Sequence, residues 1–365
     1  MRKLASIRLI DDVLPIENAD RLEQVVIGGW RIVVAKNEFL KGDKVVYFEI
    51  DSALPADDIR YEFLKERCLR KWMCGGKLVY EVIHIKSIKL RGVVSQGLVM
   101  PLMSFPELTD TEVGTDVTEA LNVKHYDELA EEYGRITGSA RLAGNAKGNF
   151  PTHLVPKTDE ERLQNLTEYF DGRFAGVPFE ITEKYDGTSA TYIYAPNARP
   201  EDPFFVCSRN LELKKEEGNL YWEIFKKYKL AQYLPRTSRY MADPDVGGCV
   251  DIAIQGEIVG PGVNGNKDMY TEHMFYVFRA YNISDPHWFS PAVRWNMCVA
   301  MDHLPHVKVI DVREIFDKLK TMEDFLEYVE GKTDRGNERE GMVFKSLDGT
   351  VSFKVINNKY LLKEK

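Results

Sequence analysis

The tightest constraint on this chain is the punctuation of its first 122 residues, where short alternating and β-branched runs are closed by glycine or proline, so that only short strands fit. Leu22-Glu23-Gln24-Val25-Val26-Ile27, Gly28-Gly29 and Trp30-Arg31-Ile32-Val33-Val34-Ala35 read as a hairpin with a glycine turn. Residues 44–50 give a third strand that ends towards Pro55. Residues 80–86 and 88–91 read as another pair, and Gly97-Leu98-Val99-Met100 closes the set before Pro101. Short strands in this number predict a small closed barrel, OB-like in size and strand count.

Lys124 to Asn149 is rich in glycine, alanine and charge and reads as a linker carrying one short helix. Beyond residue 150 helices and strands mix. Thr158-Asp159-Glu160-Glu161 reads as a capping-box start to a helix running towards Leu166. Leu220, Ile224, Phe225 and Tyr228 share one helical face. Ser290-Pro291 opens a helix with Val293, Met297 and Met301 on one stripe, and residues 321–329 form another, stopped by Gly331. Strands are predicted at 178–184, 188–194, 251–259, 274–283, 341–346 and 350–356. This irregular order points to an α+β chain rather than a doubly wound sheet. The expected organisation is a barrel module at 1–122, a linker at 123–149 and a second domain at 150–365.

Composition narrows the class. With 44% hydrophobic and 29% charged residues among 365, wholesale disorder is excluded. No apolar run of about 18 residues exists, so no helical membrane span is expected. Asp11-Asp12 follows the N-terminus too soon for a long apolar leader, and none is expected. Five scattered cysteines (Cys68, Cys74, Cys207, Cys249, Cys298) without a CxxC pair suit free thiols in a reducing compartment. A Cys68/Cys74/His84 grouping fits no common zinc spacing. A net charge of −8 argues against coating nucleic acid by bulk charge. Between Arg60 and Arg91, however, nine Lys/Arg face three acids, a local excess suited either to phosphate contact or to an ordinary solvated loop.

Glu183-Lys184-Tyr185-Asp186-Gly187-Thr188 lies at a strand-to-turn junction. Residues two apart in a strand face the same way, so Lys184 and Asp186 project to one side. An isolated pair of this kind is read more readily as a surface ion pair. As a nucleophile, Lys184 would have to lose a proton near pH 7, well below its usual pKa of about 10.4, which nearby positive charge makes possible. Gln255-Gly256-Glu257, Phe278-Arg279-Ala280-Tyr281, Glu340-Gly341-Met342-Val343-Phe344-Lys345 and the stretch from Phe353 to Tyr360 each have a plain reading as sheet-edge charge, aromatic core or basic tail.

In order and spacing these segments resemble the covalent nucleotidyltransferase superfamily of ATP-dependent ligases and mRNA capping enzymes. Cys207-Ser208-Arg209-Asn210 resembles its arginine motif, and the segment from Pro156 to Asn165 is similar to one found in RNA ligases. The resemblance covers about 156–360. With a strand-rich module first and only five residues after Tyr360, the arrangement resembles the nick-sealing RNA ligase branch; DNA ligases and capping enzymes carry an OB domain downstream.

The resemblance implies a fold of an N-terminal OB-like β-barrel followed by a nucleotidyltransferase domain of ATP-grasp-like antiparallel sheets with helices. It implies an ATP-dependent RNA ligase that joins RNA 3′-OH and 5′-phosphate ends, in nicked duplexes, through a lysyl-AMP and an RNA-adenylate. Lys184 becomes the nucleophile. Asp186, Glu257 and Glu340 are assigned to a divalent metal, Mg²⁺ or Mn²⁺, held through its waters. Nucleotide contacts fall to Glu183 at the adenine edge, Phe278 stacked on adenine, Arg209 at the ribose or the 3′-OH end, Arg162 at the distal phosphates and Lys354 at the α-phosphate, with Glu257 and Glu340 beside them. For Glu183 to reach adenine the strand must twist or end, because an ideal strand turns it away. One departure stands out: many relatives have a second lysine two residues after the first in the last motif, whereas Ile356 follows Lys354 here and Lys359 is off register.

Three other readings share these residues. A capping guanylyltransferase would use Lys184 with GTP, a DNA ligase would seal all-DNA nicks, and a non-catalytic RNA-binding protein would rely on the barrel alone. RNA is the expected partner, with no membrane and no obligate protein partner. The expected location is intracellular, in the cytoplasm, with the nucleus as the lesser alternative.

Overall fold

The structure is a computed structural model that describes residues 3–137, 143–242 and 248–363. It separates into one unit of Met1–Gly144 with Leu361–Lys365 and a second of Asn145–Tyr360.

In the first unit, strand Lys44–Phe48 is the central element of a sheet with Ala5–Leu9 and Leu98–Pro101, antiparallel to both. Its side chains alternate between two cores. Val46 and Phe48 pack with Leu54, Tyr61 and Phe105 on one side, while Val45 and Tyr47 pack with Trp30, Ile32 and Phe39 on the other. The predicted hairpin is formed by Leu22–Ile27 and Trp30–Ala35, with Gly28 and Gly29 both at positive φ in the turn, and Asp12–Pro15 adds a third strand.

The predicted pairing of residues 80–86 with 88–91 does not occur. Lys77–His84 pairs instead with Leu69–Cys74, and Ile88–Leu90 pairs with Val93–Ser95. Gly75 and Gly76, both at positive φ, close the first of these hairpins, and Arg91 and Gly92 close the second. Those tight turns decide the partners.

Helix Tyr126–Ile136 confirms the single helix expected in the linker, but it is docked rather than free. Tyr133 stacks on Tyr80 at 4.2 Å between ring centroids, and Trp72 packs against Tyr80, Tyr126 and Tyr133. At the other end of the expected linker, Ala146–Asn149 pairs with Leu211–Leu213 as an edge strand of the second unit. The two units therefore meet at residues 144 and 145 rather than across a linker at 123–149. Residues 138–142 of that segment lie outside the described residues.

The second unit is built on two sheets. The larger has seven strands in the order Ala146–Asn149, Leu211–Leu213, Phe204–Ser208, Thr188–Tyr194, Ile252–Val259, Met274–Asn282, His287–Trp288. The smaller runs Glu161–Arg162, Ser352–Ile356, Gly341–Ser346, Phe179–Lys184, Val309–Arg313. On one face of the smaller sheet Phe179, Ile181, Phe344, Phe353 and Val355 pack against Phe316, Phe325 and Leu326 from helices Ile315–Lys318 and Met322–Tyr328. Strand parity leaves Glu180, Thr182, Lys184, Val343, Lys345 and Lys354 on the opposite face.

The helix expected from Thr158 towards Leu166 is absent. Glu161 and Arg162 pair in parallel with Phe353 and Lys354, and short 3₁₀ turns follow from Leu163. Burial of Leu163 and Gln164 under the sheet outweighs the capping pattern, which is a weak local preference. The other predicted helices form, with Ser290 capping Pro291–Ala300 and a Thr321/Asp324 capping box opening Met322–Tyr328. Among the described residues no helix is long and apolar enough to cross a membrane.

Candidate active site

A cavity of about 310 Å³ opens between the two sheets of the second unit. Thr182, Lys184, Glu340, Val343, Lys345 and Lys354 line it from the smaller sheet and its borders, and Ser189, Glu257 and Phe278 from the larger. Asp186, Arg209 and Asn264 reach it from turns.

Lys184 is the last residue of its strand, and Gly187 then turns the chain where no side chain would fit. A Cβ there would lie 2.3 Å from the Ile258 carbonyl oxygen. Gly341 is equally confined, with the Val355 carbonyl 2.2 Å from any added Cβ, so Glu340 enters the cavity beside a bare stretch of backbone. Lys184 Nζ donates to Glu340 Oε1 at 2.7 Å. Burial alone would depress the Lys184 ammonium, but Glu340, Glu257 and Asp186 outweigh it and hold the group above its usual pKa. The same crowding falls on Glu257. Burial, with Glu340 and Asp186 adding to it against Lys184, pushes its carboxyl up to about 8.

Asp186 is fixed from three sides. Lys267 Nζ stands 3.1 Å from its Oδ2, Asn264 Nδ2 donates to Oδ1 at 3.1 Å, and the Tyr360 hydroxyl donates to Oδ2. Glu340 keeps one carboxylate oxygen buried and without a hydrogen-bond partner. Among the described residues no three His, Cys, Asp or Glu side chains converge on a single point as direct metal ligands. Asp186, Glu257 and Glu340 nonetheless surround Lys184 with hard oxygen donors, one of them unsatisfied. That set fits a divalent cation which keeps part of its hydration shell.

At the other end, Phe278 and Val343 both line the cavity. The Phe278 carbonyl accepts from Lys345 Nζ at 2.7 Å and from Arg294 Nη1 at 3.2 Å, which fixes the strand that carries the ring. Arg294 is itself held by a buried bidentate pair with Glu180, at 2.9 and 2.7 Å. Burial, opposed by Glu160, pushes Lys345 down to about 7.

Arg209 sits in the turn between Phe204–Ser208 and Leu211–Leu213, and its Nη2 donates to Asp159 Oδ2 at 2.9 Å. Lys354 Nζ donates to Asp159 Oδ1, also at 2.9 Å. Thus Lys184, Asp186, Arg209, Glu257, Phe278, Glu340 and Lys354 come together as expected. Glu183 borders the cavity, but its strand stays regular to the end, with Glu183 opposite Met342 and Lys184 opposite Gly341. Its carboxyl, raised by burial and opposed by Arg339 and Lys308, belongs to the other face. Arg162 is the register neighbour of Lys354 and is not among the residues lining the cavity. Ile356, buried, replaces a cavity cation, and Lys359 pairs with Glu330 instead.

Asp159, Asn264, Lys267 and Lys345 belong to the site without a role that the sequence assigns them. The run Gly260-Pro261-Gly262-Val263-Asn264-Gly265-Asn266 announces a tight loop, and Asn264, Gly265 and Asn266 do adopt positive φ. Nothing in its composition announces that it closes on Asp186.

Comparison with known proteins agrees with this arrangement. A family profile described as an OB-fold domain matches residues 4–102, and one described as RNA ligase matches residues 177–358. The chain is similar to solved structures of the RNA ligase of Naegleria gruberi. A mutant with AMP and Mn is 33% identical with a TM-score of 0.78, over 100% of this chain and 99% of that one. Another mutant, with ATP and Mn, is 33% identical with a TM-score of 0.78 over 99% of each chain. The enzyme with PPi is 34% identical with a TM-score of 0.77, over 100% of this chain and 99% of the other. Comparison with curated protein sequences gives no match.

Proposed function

The chain belongs to the RNA ligase family, and from that premise we propose that it joins an RNA 3′-OH to a 5′-phosphate, in nicked duplexes, through a covalent adenylate on Lys184. Its membership makes it an ATP-dependent ligase with an N-terminal OB-fold domain. The observation that carries the finer reading is the half-buried Lys184–Glu340 pair at 2.7 Å, inside a cavity that also holds Glu257, Asp186 and Lys354.

Phe278 and Val343 offer two apolar surfaces between which an adenine ring is held, with the Phe278 carbonyl pinned from behind by Lys345 and Arg294. Lys354 and Arg209 supply positive charge beside the α-phosphate and ribose. Asp186, Glu257 and Glu340 would hold the divalent metal, and Mg²⁺ or Mn²⁺ there supplies the charge that favours neutral Lys184 and offsets phosphate oxygens.

Lys184, once deprotonated, attacks the α-phosphorus of ATP; the N–P bond forms as the bond to pyrophosphate breaks. A 5′-phosphate oxygen of RNA then attacks the same phosphorus and Lys184 leaves. Finally the RNA 3′-OH attacks the 5′-phosphorus, AMP departs and the hydroxyl proton is lost. Each step accumulates charge on phosphate oxygens, which is where Lys354 and Arg209 act.

The test is incubation with labelled ATP and Mg²⁺ followed by denaturing electrophoresis. A labelled, acid-labile band at the mass of the chain is expected. Label that appears only with GTP would point to a capping guanylyltransferase, and no label under any condition would sink the covalent route.

A further inference from the structure

We propose that Asp159 is a built-in substitute for the nucleotide phosphate, which keeps Arg209 and Lys354 neutralised until a nucleotide displaces it. The inference rests on the reading of this cavity as the ATP site, and it concerns a residue to which that reading gives no part.

One carboxylate bridges two cations that come from different sheets. Asp159 Oδ2 accepts from Arg209 at 2.9 Å, and Oδ1 accepts from Lys354 at 2.9 Å. All three residues line the cavity. A carboxylate spanning an arginine and a lysine presents the same pair of charged acceptors that a phosphate would, and a phosphate carries more charge and one more acceptor. Asp159 can therefore lose this competition to a nucleotide, but not to water.

The surroundings suit an exchange of this kind. The Asp159 side chain is 49% exposed, so it can turn to solvent without stranding a buried charge. The residue precedes the pairing of Glu161 and Arg162 with Phe353 and Lys354, so its departure breaks no rung of the sheet. That pairing also keeps the segment anchored next to Lys354, so the carboxylate is on hand when the phosphate leaves. The contact thus lowers the affinity of the resting site for anions and eases release of AMP once the RNA has been sealed.

The experiment is calorimetric titration of the full chain with AMP, and with adenosine as the phosphate-free control, in wild type, Asp159→Asn and Asp159→Ala. Both variants should bind AMP about three- to tenfold more tightly, the scale of two partly exposed ion pairs, while adenosine affinity stays within about twofold. Unchanged or weaker AMP binding in both variants would overturn the proposal by making Asp159 a strut for the two cations. An equal gain for adenosine would do the same, because the site would then have been reshaped generally. If wild type forms a Lys184 adenylate from ATP and AMP binding still ignores Asp159, only this proposal fails. If no adenylate forms at all, the reading of the cavity fails first.

Discussion

Lys184 and Glu340 lie 156 positions apart in the chain and form an ion pair of 2.7 Å. In the nucleotide-free site the pairing opposes chemistry, since Glu340, Glu257 and Asp186 keep the ammonium protonated. In the mechanism proposed above, this arrangement acts as a safeguard: Lys184 becomes reactive only when positive charge arrives among the carboxylates.

Replacing Lys184 by alanine or arginine should abolish adenylate formation, because arginine cannot lose its proton near neutrality. Labelled-ATP electrophoresis measures this directly. Sealing of RNA that already carries a 5′-adenylate should survive, since that step bypasses the nucleophile. A normal adenylate yield from either variant would remove Lys184 from the mechanism.

Glu340→Gln should cut adenylation in saturating Mg²⁺ by about a hundredfold or more, the cost of losing one preorganised electrostatic partner. Its residual rate should reach half-maximum at lower pH than in wild type, because the main hydrogen-bonded anion keeping Lys184 protonated has gone. Rate against pH at fixed metal checks both halves.

Glu257 couples the site to stability. Its carboxyl titrates near 8 in the fold against an ordinary value of 4.5, so the folded chain binds a proton that the unfolded chain does not. Stability from this group is complete below about pH 4.5 and declines as pH rises towards 8. Glu257→Gln should therefore gain melting temperature over metal-free wild type, with the gap widening from pH 5 to pH 8, while adenylation falls severely. A gap that does not grow with pH would mean that Glu257 is not buried among like charges.

Removing either partner of the buried Glu180–Arg294 pair should cost about 3–5 kcal/mol, because the survivor keeps its charge out of water. Denaturant melts test the stability. Arg294→Met should also weaken ATP binding through the Phe278 carbonyl, an effect that a purely structural pair would not produce.

In the first unit, neutralising Arg67, Arg70 and Lys71 together should lower RNA affinity and flatten its salt dependence while leaving adenylation intact. Lys71 is partly offset by Glu81 at 3.4 Å, and Arg70 donates to the Leu69 carbonyl, so Arg67 should carry most of the loss. If affinity and salt slope both hold, RNA is bound elsewhere.

The sequence disclosed the strands wherever alternation and burial agree, as in Phe179–Lys184 and Ile252–Val259, and its motif residues Lys184, Asp186, Glu257 and Glu340 line one cavity. Pairing partners were less legible. Residues 69–74 give no strand signal of their own because their charge masks alternation, although the turn glycines at 75 and 76 make them a strand. Thr158–Glu161 carries a valid helix signal that loses to a parallel rung with a strand almost 200 residues later. Long-range contacts of that kind leave no local trace. The same holds for Lys267 and Asp159, whose roles depend only on what the fold brings opposite them.

That parallel rung also bears on synthesis. Glu161 and Arg162 are made long before Phe353 and Lys354, and it is the last segment of the chain that brings Glu340 and Lys354 to the cavity and Tyr360 to Asp186. A ribosome-bound chain has no finished nucleotide site until the strand Ser352–Ile356 has emerged and inserted beside Gly341–Ser346, and the first unit likewise waits for Leu361–Lys365. Truncated chains would then be unable to consume ATP, and activity itself reports that translation reached the final strand.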